Sequence, residues 1–108
     1  MKQFEIHGKA AVLNDLVSYQ EGGIVSKLLV KGVNGSVTVF AFDEGQELSE
    51  HTVPFDALLY LVDGAAEVRI SGHLHHLQAG EAIVMPANEP HALKATQSFK
   101  MMLSMIKG

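Results

Sequence analysis

Turn-forming residues recur at short intervals along most of the chain, at Asp43-Glu44-Gly45, Pro54, Asp63-Gly64, Ser71-Gly72, Ala79-Gly80 and Pro86. Intervals this short leave room only for strands between them, and no long helical stretch is visible after Gly22. A βαβ fold needs a crossover helix for every parallel pair of strands. The pattern therefore predicts an all-β sandwich or barrel.

The runs between the turns read as strands. Ile24 to Val30 leads to a turn expected at Asn34-Gly35, followed by SVTVFAF at 36–42, which is rich in β-branched and aromatic residues. Val37, Val39 and Ala41 share one face of that run, and Ser36, Thr38, Phe40 and Phe42 share the other. Both faces carry apolar groups, so this strand is expected to be covered on both sides. In ALLYLV at 57–62, Leu59 and Leu61 are expected to face inward and Leu58, Tyr60 and Val62 outward, with a turn at Asp63-Gly64. FKMMLSMIKG reads as a closing strand with Phe99, Met101, Leu103 and Met105 on one face and Met102 and Ile106 on the other. Before Gly22, the spacing of Leu13, Leu16 and Val17 suggests a short turn of helix capped by Asn14 or Asp15, although a strand also fits.

At 108 residues, 47% hydrophobic and 19% charged, the chain is long enough for one core. A domain of this size buries roughly 60–70% of its unfolded surface without staples. There is no cysteine, hence no disulfide framework and no thiolate. The net charge of −4 and the absence of a basic run argue against nucleic acid and anionic membranes as partners. No apolar run is long enough to span a membrane, and MKQFEIHGK lacks the apolar core of a signal peptide, so the expected compartment is the cytoplasm. With no repeat or linker, residues 1–108 are expected to form one domain.

Two spaced patterns carry more specific information. Gly45 is followed by five residues and His51, then Val53, Ala57 and Gly64; after fifteen intervening residues come Gly80, Pro86, Asn88, His91 and Ala95. In order and spacing these resemble the two motifs of the cupin superfamily, G-x5-H-x-H-x3-4-E-x6-G and G-x5-P-x-G-x2-H-x3-N. The resemblance covers about residues 36–106, leaving 1–35 as amino-terminal strands and a possible short helix. It implies a double-stranded β-helix, or jelly-roll barrel. In the family, the motif histidines and glutamate are metal ligands. Here Val53 stands for the second histidine, Ala57 for the glutamate, Asn88 for the motif glycine and Ala95 for the asparagine.

The resemblance thus leaves His51 and His91 as candidate ligands for a divalent transition metal such as Fe, Mn, Ni or Zn, or as acid/base groups. Such sites normally have at least three side-chain ligands. Asp56, beside the lost glutamate position, is the third candidate, although alternation turns it away from the interior. Val53, Ala57, Leu59 and Met85 are expected to line an apolar pocket. Glu44, Glu47, Glu50 and Glu89 read as charges around the mouth. His73, His75 and His76 read as a solvated hairpin strand, with His73 and His75 on one face. There is no nucleophile elbow and no phosphate-binding glycine loop.

The expected function is binding of a small organic molecule in the barrel, with a metal site reduced to two histidines. The alternative is a metal-dependent cupin enzyme of dioxygenase or isomerase type with a non-standard third ligand. The doubly apolar 57–62 strand and the habits of small cupins suggest a homodimer.

Overall fold

The computed structural model describes residues 5–107. Eight strands follow a 3₁₀ turn at Leu13–Asp15: β1 (Ile24–Gly32), β2 (Gly35–Phe42), β3 (Glu47–His51), β4 (Asp56–Ile70), β5 (His73–Gln78), β6 (Ala82–Met85), β7 (His91–Lys94) and β8 (Phe99–Ile106). Every ladder is antiparallel. Among the described residues no helix is long and apolar enough to cross a membrane.

The strand β4 joins the two walls of the barrel. Its first half pairs with β8 and β6, and its second half, from Ala65, pairs with β5 and β7. Asp63-Gly64 is therefore not the expected turn. The register slips between Leu61 and Asp63, Gly64 takes φ +79°, and the strand bends from one wall into the other without ending. A bulge of this kind sharpens local twist while the ladder continues. Local sequence shows an Asp-Gly pair but not the partner strands on either side that keep it extended.

The glycine at 35 also differs from its expected role. The two-residue turn of the β1–β2 hairpin is Val33-Asn34, and Gly35 opens β2 opposite Gly32. A Cβ at Gly35 would lie 2.2 Å from the Met105 carbonyl oxygen. Glycine is required there for the close approach of β8. The cap differs as well: Val12 precedes the 3₁₀ turn with no side-chain cap, and Asn14 and Asp15 lie within it.

The faces follow alternation. Phe42, Leu59, Leu61, Phe99 and Met101 are fully buried inside the barrel, with Leu103 and Met105 packed against them. The Phe42 and Phe99 rings stack at 4.6 Å. Outside, Val39 and Ala41 pack with Val17 and Leu29 in a second cluster that Val37 and Met102 join, so the amino-terminal segment supplies the second cover for β2. Tyr19 holds that segment in place by donating its hydroxyl to the Asp63 carboxylate, and Lys100 donates to the Asn14 carbonyl. The cover does not extend over all of β4 and its neighbours: Leu58, Val84 and Ile106 remain exposed on the outer face.

Candidate functional site

The site begins with an irregularity in β3. Glu47 pairs with Lys94, Leu48 with Leu93 and His51 with His91, so Ser49 and Glu50 together oppose Ala92 alone. Leu48 packs against the barrel core. Simple alternation from Leu48 would send His51 outward. The extra residue of the bulge returns it to the inner face beside His91.

The two imidazoles meet edge to face, with ring centroids 4.4 Å apart. His51 is exposed at the mouth, whereas His91 is buried at 4% exposure. Each Nδ1 lies against a backbone carbonyl two residues earlier, Ser49 O at 2.8 Å and Glu89 O at 3.3 Å. A carbonyl only accepts, so Nδ1 carries the proton, and in the neutral form of each ring Nε2 is left as an acceptor. These orienting groups are backbone atoms, and no side-chain pattern in the sequence announces them.

The loop carrying His91 is tied down from several directions. Asn88 stands at the motif glycine position with φ +67°, a conformation that asparagine tolerates better than most residues, and its N–H donates to the Val53 carbonyl at 2.8 Å. Ser71 donates to the Glu89 carboxylate at 2.8 Å. Ala95, at the motif asparagine position, exchanges backbone hydrogen bonds with the segment that opens the first motif: its N–H donates to the Gln46 carbonyl and its carbonyl accepts from Gly45.

Asp56, the third candidate, does not join the histidines. It lies on the same side of β4 as Leu58, opposite to buried Ala57 and Leu59, and its carboxylate accepts the Ala87 N–H at 2.8 Å. Its work is to hold the loop that leads into β7. Ala57, Leu59 and Met85 are in the closed core at 2%, 0% and 2% exposure, and Val53 is half-buried. His73, His75 and His76 are exposed on β5, and His76 lies 3.9 Å from the Glu67 carboxylate.

Among the described residues, no three His, Asp or Glu side chains come together as a metal site. A resident transition metal does not fit this donor set, because two imidazoles fall short of three protein ligands and the other motif positions are apolar. The arrangement offers instead two hydrogen-bond acceptors in an apolar wall.

Burial holds the His91 pKa below its ordinary value; nearby His51 adds to this, and the Glu89 carbonyl opposes it. The unfolded chain thus binds more protons than the folded one as pH falls through the ordinary histidine pKa of 6.5. Stability is lost from that point downward until the depressed folded-state pKa is passed. Thermal melts between about pH 8 and about pH 5 should show this slope, and His91→Gln should flatten it. An unchanged slope in the variant would assign it to other groups.

Solved structures of other proteins share this barrel. A conserved protein of unknown function from Streptococcus pyogenes is similar over 100% of this chain and 96% of its own, at 34% identity and a TM-score of 0.92. A cupin 2 conserved barrel domain protein from Leptotrichia buccalis is 42% identical with a TM-score of 0.85, over 87% of this chain and 46% of that one. The tetracenomycin polyketide synthase protein TcmJ of Streptomyces glaucescens is 29% identical over 91 residues, 80% of this chain, which spans 61% of that relative's length. The Cupin domain family matches residues 38–107, and with the motif positions placed as they are in this barrel, the chain belongs to the cupin family.

Proposed function

We propose that this cupin binds a small hydroxyl-bearing organic molecule at the mouth of its barrel, without a resident metal. The observation that carries this reading is the pair of imidazoles 4.4 Å apart, each committed through Nδ1 to a backbone carbonyl. Two Nε2 acceptors suit a ligand that donates two hydrogen bonds, such as a vicinal diol. The closed core at Ala57, Leu59 and Met85 supports a ligand seated against the histidines and Val53 instead of deep in the barrel. The name of the Streptomyces relative points the same way, since polyketides are oxygen-rich organic molecules.

Side-chain ¹H–¹⁵N spectra during titration with catechol test the proposal. Both Nε2 resonances should shift saturably, and His51→Ala and His91→Ala should each weaken binding by about tenfold or more. Titration with zinc alone should give no tight stoichiometric complex. Tight zinc binding that both substitutions abolish would replace this reading with the metal-dependent enzyme. Unshifted rings throughout a panel of diols would also overturn it.

A further inference from the structure

The bulge that aims His51 inward has a second consequence on the outer surface. There, β3, β7 and the second half of β4 form the wall of a cleft of about 350 Å³ that also includes Leu74. This lies within the usual size range of small-molecule sites, roughly 300–1,000 Å³. It is separate from the barrel mouth, since neither His51 nor His91 lines it.

The cross-strand rows set its charge pattern. In one row Glu47, Lys94, Glu67 and His76 stand side by side, so that Lys94 lies between two carboxylates. In the next row Arg69 stands between Ala92 and Leu74, neither of which carries charge. Among the described residues the ion pairs are Lys27 with Glu5 and His76 with Glu67. Arg69, the only arginine in the sequence, makes no such pair although acidic groups are close by. Ala92 leaves open space beside it, and the bulge places Ser49 and Glu50 on the far side of that space.

An unpaired guanidinium presents a planar fork of donors suited to a carboxylate. The same cleft contains Glu47, Glu50 and Glu67, which disfavour a multiply charged anion and can accept hydrogen bonds from a ligand. We infer that this outer cleft is a second binding site, for a small organic carboxylate bearing an amino or hydroxyl group. Arg69 takes the carboxylate, Glu50 accepts from the amino or hydroxyl group, and Ala92 provides the room.

Backbone amide spectra during titration with L-serine, L-lactate, acetate and inorganic phosphate test this site. Serine or lactate should shift the Arg69, Ala92 and Lys94 amides saturably, and more tightly than acetate. Arg69→Gln should weaken that binding by about tenfold or more. Ala92→Leu, which fills the cleft and retains the guanidinium, should weaken it comparably; circular dichroism of both variants verifies that they fold. Phosphate binding as tight as serine would reduce the cleft to a plain anion site and overturn the assignment. So would wild-type affinity in Arg69→Gln, the absence of any saturable shift, or shifts confined to the rings of His51 and His91.

Discussion

Replacing Gly64 with alanine is expected to destabilise the barrel by about 3–5 kcal/mol, combining the strain of a left-handed residue with overpacking against backbone. Gly64 has φ +79°, and a Cβ there would lie 2.0 Å from the Ser98 carbonyl oxygen and 2.9 Å from the Phe99 Cα. Those atoms belong to main chain on or beside β8, whose Phe99 pairs directly with Gly64, so no side chain can rotate to make space. Relief requires parting β4 from β8 at the bend that joins the walls, where Phe99 stacks on Phe42. Gly45→Ala is the informative control. Its φ of +89° is similarly unfavourable, but nothing lies within 4 Å of the added atom, so the cost should be about 1–2 kcal/mol. Urea denaturation of both variants measures the difference. Equal losses would mean that backbone conformation alone, and not the approach of β8, accounts for the glycine at 64.

That contrast also shows what the sequence could disclose. Glycine at 45 and 64 was legible as motif spacing, but only the partner strand separates an ordinary turn glycine from one under a carbonyl oxygen. The two faces of β2 and of β8 were readable because period-two alternation is a local property, and burial of Val39, Ala41, Phe42, Phe99 and Met101 follows it. The course of β4 through Asp63-Gly64 was not readable, since the preference of those residues for turns was overridden by ladders on both sides. Within the site, the resemblance to the cupin motifs implies His51 and His91 as a pair. It did not show that a bulge at Ser49 and Glu50 sets the direction of His51, or that Ser49 and Glu89 carbonyls fix the tautomers. Arg69 carries no signal in the sequence, because a lone arginine in a strand gains meaning only from its cross-strand neighbours.

Val53→His should create a metal site where the present chain has only two imidazoles. Position 53 is half-buried and follows His51 by two residues; its carbonyl is fixed by Asn88, three residues before His91. A third imidazole there would complete the minimum set for zinc, with an open position for water. The gain in zinc affinity should be on the order of a hundredfold, equivalent to about 2.8 kcal/mol. Adding Ala57→Glu to this variant tests the other substituted motif position under harsher conditions. Ala57 is only 2% exposed in the apolar core, so an unpaired glutamate there should destabilise the metal-free protein by several kcal/mol. Zinc would supply the charge partner, and the double variant should therefore regain much of its lost stability on titration with the metal. Calorimetric zinc titration and melts with and without the ion measure both effects. If Val53→His binds zinc no better than the parent, residue 53 does not face the two histidines. The apolar wall around them would then have an origin other than the loss of ligands at motif positions.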